Sequence, residues 1–327
     1  MQIEQTTQND DPPLNGDQED LIKIHQIDKF TNPVRTADGA LRARVEFQTL
    51  ETLWINTGTI CNLECDGCYI ESSPKNDRLA WVDQADVENV LTQLSQIDAA
   101  KPLIGFTGGE PFANPHFLAV LAPVLEQGYS TLILTNATTP LWIKRHKLSA
   151  MADRYSEQIT FRVSLDHYHQ TEHDQIRGKG SFAKAQRGLT WLVEQGYTVS
   201  IAGRSLSSNI EEDSQGYHAF INSLGPQFEP LHNTLTVFPE MGDQDVPEIS
   251  EDCWDILGVK PTDMMCATSR MMVKRAGDKS LSIMPCTLIA YDERAIVGNN
   301  LSEMHKTVSL NHRFCAQFCV LGGSSCS

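Results

Sequence analysis

The 327-residue chain is 40% hydrophobic and 21% charged, enough apolar material for a sizeable core and about two domains by length. Its 26 Lys and Arg against 42 Asp and Glu give a formal charge of −16, which argues against a nucleic-acid binder or a protein held on anionic lipid. No apolar run approaches the ~20 residues of a membrane span.

The first twenty residues carry no Lys or Arg and no apolar block. They read as a solvated leader within an N-terminal extension over 1–50, and not as an export signal, so a reducing, cytoplasmic setting is expected. From about 51 to 245, short apolar runs alternate with amphipathic stretches. Candidate strands are Thr52–Asn56, Leu103–Thr107, Thr131–Thr135, Ile159–Leu165, Thr198–Ala202 and Leu235–Phe238. Between them, Val87, Val90, Leu91 and Leu94 fall on one helical stripe, as do Phe117, Val120, Leu121, Val124 and Leu125, and Phe182, Ala185, Leu189, Leu192 and Val193. Alternating strand and helix predicts an α/β fold with a parallel sheet. Six units over this length suggest a partial (β/α)6 barrel, with an open doubly wound sheet as the alternative. After Phe238, Pro239, Pro247 and Pro261 interrupt the pattern. The stretch 250–327 then reads as a small cysteine-bearing domain.

The nine cysteines are clustered. Cys61-Asn-Leu-Glu-Cys65-Asp-Gly-Cys68 follows the first strand directly. Three thiolates on one loop can hold three irons of a four-iron cluster and leave the fourth open, as a catalytic site requires. Zinc with a fourth ligand brought in by the fold is the alternative. Gly108-Gly109-Glu110-Pro111 ends the second strand, where two glycines allow close backbone approach and a carboxylate can receive an ammonium group. Candidate groups fall at the carboxyl ends of all six strands, as expected of one shared pocket in a barrel-like fold. His167, Tyr168 and His169 follow the fourth strand, and either a substrate-facing role or an ordinary surface loop suits them.

The cysteine spacing and Gly-Gly-Glu-Pro together resemble the radical S-adenosylmethionine (radical SAM) superfamily, from Leu53 to about Val237. The resemblance implies a [4Fe-4S] cluster on Cys61, Cys65 and Cys68 and S-adenosylmethionine chelating the open iron. One-electron reduction would then yield a 5′-deoxyadenosyl radical that abstracts hydrogen from substrate. It implies Gly108, Gly109 and Glu110 at the methionine amino group, Thr135 and Asn136 near the cofactor, and Ser164 and Asp166 in a Ser-Leu-Asp segment at the ribose. His173-Asp174…Arg177-Gly178…Gly180-Ser181-Phe182 is similar to the helix lead-in of peptide- and cofactor-modifying members, or is a polar loop ending in a Ser181 N-cap. The family's aromatic residue before the third cysteine is Gly67 here, with Tyr69 offered instead.

The tail resembles SPASM and twitch auxiliary-cluster domains. That implies one further [4Fe-4S] cluster drawn from Cys266, Cys286, Cys315, Cys319 and Cys326. A protein reductant such as flavodoxin or ferredoxin is expected. The substrate is open between a peptide or protein and a small molecule, and no residue is assigned as catalytic. A non-catalytic iron–sulfur carrier or sensor is the reading of another class.

Overall fold

The computed structural model describes residues 28–97, 100–207, 209–242 and 245–326. The twenty-residue leader lies outside the described residues. In chain order the main elements are β1 (Arg44–Val45), β2 (Thr52–Asn56), α1 (Gln84–Ser95), β3 (Leu103–Thr107), α2 (Phe117–Glu126), β4 (Thr131–Thr135), α3 (Thr139–Tyr155), β5 (Ile159–Ser164), α4 (Gln170–Arg177), α5 (Ser181–Glu194), β6 (Thr198–Ser205), α6 (Ile210–Leu224), β7 (Thr236–Pro239), α7 (Cys253–Leu257), β8 (Ser269–Val273), β9 (Ser282–Met284) and β10 (Val308–Ser309).

All six expected strands form, and they pair in parallel in the order β7-β6-β5-β4-β3-β2. β2 is buried along its whole length, as a strand covered on both faces must be. The helices cover the outer face. In α1 an Asp83–Asp86 capping box satisfies the first orphan amides, and Val87, Val90, Leu91 and Leu94 are buried as the spacing predicts. Burying each such side chain stabilises by about 1.5–3 kcal/mol.

The boundary expected near 245–250 is not a boundary in the sheet. β8 pairs in parallel with β2, from Thr52↔Ser269 to Ile55↔Met272, and β9 returns antiparallel to it. The C-terminal stretch therefore contributes two strands to an eight-stranded sheet. β1 and β10 form a separate two-stranded ladder beside it. Among the described residues, no helix is long and apolar enough to cross a membrane.

Candidate active site

The register of the central strands brings the predicted loops together. Asn56 at the end of β2 lies opposite Thr107 at the end of β3, so the turns that follow start level. Gly109 then donates its N–H to the Gly58 carbonyl at 2.8 Å. A Cβ at Gly109 would lie 2.5 Å from the Ile60 carbonyl oxygen, and one at Gly108, where φ is +127°, equally close to that of Gly58. The two glycines thus let the β3 turn press against the lead-in to the cysteine loop, a demand additional to any approach by a ligand.

A cavity of about 210 Å3 opens at these strand ends. Cys61, Cys65 and Cys68 line it, together with Gly108, Gly109 and Tyr69. Thr135, Asn136, Ser164 and Asp166 are also on its wall. All of the predicted barrel-site residues meet there except Glu110. The Glu110 carboxylate is buried behind the wall and already has three donors. Its Oε1 accepts from the Phe112 N–H at 3.1 Å and the Thr135 hydroxyl at 2.9 Å, and its Oε2 accepts from the Asn136 N–H at 2.8 Å. Burial nevertheless raises its pKa to about 7. In this structure Glu110 holds the Thr135-Asn136 turn in place.

The lead-in after β5 divides into three roles. Asp174 accepts from the N–H groups of Gly180 and Phe182 and from the Ser181 hydroxyl, so it caps α5, and Ser181 lies one residue inside the helix. His173 is fully buried against Phe182, both ring nitrogens lack partners, and burial lowers its pKa to about 4. Arg177 enters the cavity and pairs bidentately with Asp166 at 2.7 and 2.9 Å. His167 stacks on Tyr168, which His169 and Tyr217 meet edge-on, and none of His167, Tyr168 and His169 is on the cavity wall.

Burial, reinforced by Glu110, pushes the Cys61 thiol up to about 12, and burial raises Cys65 as well. Arg177 opposes both shifts, so it is the cation that favours thiolates on this loop. Hydrogen-bond donors already face the sulfurs: Leu63 N–H lies 3.4 Å from Cys61 Sγ, Asn136 Nδ2 3.8 Å from it, and Ser72 N–H 3.4 Å from Cys68 Sγ. Among the described residues, no three His, Cys, Asp or Glu side chains converge tightly enough for a single metal ion. A four-iron cluster takes one thiolate per iron and accepts sulfurs set wider apart, and N–H···S contacts are among the features that tune it. The donor set fits a cluster better than one zinc ion.

Arg204 is a further cavity residue that the motifs did not assign. Its guanidinium lies over Gly67, where an added Cβ would come within 3.0 Å of Nη2, and it donates to the Asp66 carbonyl at 3.2 Å. It covers the position at which the resemblance led to an aromatic side chain. Tyr69 lines the cavity and packs into the hydrophobic cluster around Trp54 and Ile70.

The tail cysteines separate into two places. Cys266, Cys286, Cys315 and Cys319 line a second, apolar pocket with Met265 and Leu288. Cys266 and Cys315 flank it from a short 3-10 turn and a π-helical turn (Cys315–Val320), and Arg270, itself buried, donates to the Cys266 carbonyl at 2.6 Å. Cys326 is not on that wall. It faces the main cavity, where its Sγ accepts from the Thr287 hydroxyl at 3.2 Å. Spacing could not make this distinction, because Cys319 and Cys326 lie on opposite sides of the turn that follows the π-helix.

Residues 55–206 match the radical SAM superfamily. This stretch is a radical SAM domain. Its superfamily uses a [4Fe-4S] cluster and S-adenosylmethionine. The chain is 31% identical over 153 residues to the antilisterial bacteriocin subtilosin biosynthesis protein AlbA of Bacillus subtilis (strain 168), covering 46% of this chain and 32% of AlbA. It is 28% identical over 154 residues to the Fe-coproporphyrin III synthase of Methanosarcina barkeri (strain Fusaro / DSM 804), covering 46% of this chain and 36% of that enzyme. The matched region thus spans about a third of these relatives' length. In fold it is similar to Streptococcus suis SuiB solved with the precursor peptide SuiA, with a TM-score of 0.56 at 16% identity, covering 80% of this chain and 66% of SuiB.

Proposed function

We propose that this chain is a radical SAM enzyme acting on a peptide or protein. The observation that carries the reading is the placement of Cys61, Cys65 and Cys68 on the wall of one cavity with Asn136, Ser164 and Arg177 at the carboxyl ends of the barrel strands. When bound, a [4Fe-4S] cluster with S-adenosylmethionine supplies, after one-electron reduction, a 5′-deoxyadenosyl radical that abstracts hydrogen from substrate. The chain's own share is to orient and to exclude water. Gly108 and Gly109 bring backbone to the rim, Glu110 fixes Asn136, and Arg177 compensates thiolate charge. Phe238, Leu288 and Phe318 give the cavity wall apolar surface.

A peptide is favoured as substrate because AlbA takes part in bacteriocin biosynthesis and SuiB is solved with a precursor peptide. The likeness to Fe-coproporphyrin III synthase supports a second reading, a small-molecule or cofactor-biosynthetic substrate. The four cysteines of the second pocket are proposed ligands of one auxiliary [4Fe-4S] cluster. A flavodoxin- or ferredoxin-type reductant and a cytoplasmic setting complete the reading.

The test is anaerobic reconstitution followed by reduction with dithionite in the presence of S-adenosylmethionine. The reading expects 5′-deoxyadenosine from the wild type and none from Cys65→Ala. A fully iron-loaded wild type that releases no nucleoside would instead favour a non-catalytic iron–sulfur carrier.

A further inference from the structure

The cavity lining is of two chemical kinds. One part is polar and includes the cysteine loop. The other is apolar and includes Leu134, Phe238, Met241, Leu288 and Phe318. Arg162 lines the same cavity. It comes from β5, two residues before Ser164, on the strand face that alternation turns away from the buried Phe161 and Val163.

Arg162 differs from the other two arginines of the cavity. Arg177 is matched by the Asp166 carboxylate. Arg204 lies 3.5 Å from Glu240 Oε1 and 3.8 Å from Asp166 Oδ2. Arg162 donates from Nη1 to one neutral acceptor, the Cys326 carbonyl oxygen, at 2.8 Å. Its Nε is buried with no hydrogen-bond partner. Among the described residues no Asp or Glu pairs with it, and the one ionisable group that raises its pKa against the effect of burial is the Cys326 thiol. A guanidinium stays charged in proteins, and its planar fork matches a carboxylate bidentately. An unmatched cation in an apolar wall is costly unless an anion arrives to meet it. In a chain of net charge −16 with many carboxylates to spare, this one cavity position lacks such a partner.

We propose that Arg162 receives a carboxylate of the substrate, so that the cavity selects a group carrying an acid beside an apolar or aromatic moiety. In a peptide this is an Asp or Glu side chain, or a free C-terminus, next to a bulky apolar residue. The proposal deepens the radical SAM reading and rests on it for the location of the substrate. The apolar residues that line the cavity with Arg162 supply the moiety's contact, and the Cys326 carbonyl fixes Nη1 while the guanidinium has no acidic partner of its own among the described residues.

The probes are 4-phenylbutyrate and its neutral amide, 4-phenylbutyramide, in equilibrium dialysis against the full chain with its clusters reconstituted. The wild type is expected to bind the acid about tenfold or more tighter than the amide, as a charge-assisted hydrogen bond provides. In Arg162→Gln the ratio is expected to fall to about one, and Arg162→Lys, which keeps the charge, is expected to keep part of it. Iron content and circular dichroism check that each variant is folded, and the lysine variant carries the test if the glutamine variant is not. No preference for the acid in the wild type, or a preference that survives in Arg162→Gln, overturns the proposal. So does a weakening of S-adenosylmethionine binding in Arg162→Gln that matches the loss of acid binding, since that would make Arg162 a cofactor contact. Either result can occur with 5′-deoxyadenosine formation intact, and a wild type without nucleoside formation overturns the wider reading while leaving the acid-to-amide ratio to be measured.

Discussion

The Glu110 carboxylate and the Asn136 backbone are joined across the β3–β4 strand ends, with Glu110 Oε2 accepting the Asn136 N–H at 2.8 Å. Asn136 in turn reaches the cysteine loop through its side chain, donating to Asn62 Oδ1 at 3.1 Å. The loop, the turn and the carboxylate form one connected unit. In Glu110→Gln the amide NH2 must face one of the three donors. The expected cost is about 1–3 kcal/mol in chemical unfolding, more in Glu110→Ala. S-adenosylmethionine affinity should fall with it, measured by equilibrium binding to the reconstituted protein. Unchanged affinity in Glu110→Ala would show that the turn does not depend on this carboxylate.

Breaking the Asp166–Arg177 pair by removing Arg177 deprives a buried carboxylate of its bidentate partner and leaves it Arg204 at 3.8 Å. Arg177→Ala should lose about 3–5 kcal/mol of stability, whereas the double variant Asp166→Leu, Arg177→Met should recover most of it. Cluster assembly on the cysteine loop should remain impaired in both, because Arg177 is the cation acting on Cys61 and Cys65. Denaturant titration and iron analysis separate the two effects.

His173 makes stability depend on pH in a defined window. Its folded pKa is near 4, below the ordinary 6.5, because burial disfavours the cation. The unfolded chain therefore takes up the proton first as pH falls. The stabilisation is complete above 6.5 and is lost progressively between 6.5 and 4. His173→Phe removes this proton uptake, so the loss of stability from pH 7.5 to 5 should be shallower than in the wild type. Equal slopes would contradict the buried neutral imidazole.

The two places occupied by the tail cysteines predict different iron losses. The wild type should hold about eight irons, as two four-iron clusters require. Cys286→Ala should lose about four of them and keep nucleoside formation in part. Cys326→Ala should lose none, since Cys326 faces the main cavity. Equal iron loss in both variants would return Cys326 to the ligand set.

The six parallel strands were legible because buried strands read as β-branched, apolar runs, and β2 through β7 have that texture. β8 was not legible. It reads Ser-Arg-Met-Met-Val, and Arg270 conceals a strand that is buried throughout. That charge is accommodated by carbonyls, those of Cys266 at 2.6 Å and Ser269 at 2.7 Å nearby and those of Met304 at 2.8 Å and Lys306 at 3.2 Å from the distant tail. For the same reason the C-terminal stretch read as a separate domain. α3 was missed because Lys144, Arg145, His146 and Lys147 interrupt its stripe, leaving Leu141, Leu148 and Ala152 as its buried residues. At the site, residue types and spacing singled out the cysteine loop and the Gly-Gly turn, and the family resemblance implied Asn136 and Ser164. They did not reveal the direction in which Glu110 points or the side on which Cys326 lies, because both depend on how loops from distant strands meet.

The central claim is that the cysteine loop leaves one iron open to S-adenosylmethionine. It is tested most directly in a variant with Cys266, Cys286, Cys315 and Cys319 all replaced by Ala, so that the loop cluster alone gives a signal. Electron-nuclear double resonance on the reduced cluster, with the methionine amino group labelled with nitrogen-15, should show direct coupling of that nitrogen to the cluster. A fully assembled loop cluster with no such coupling would contradict the account.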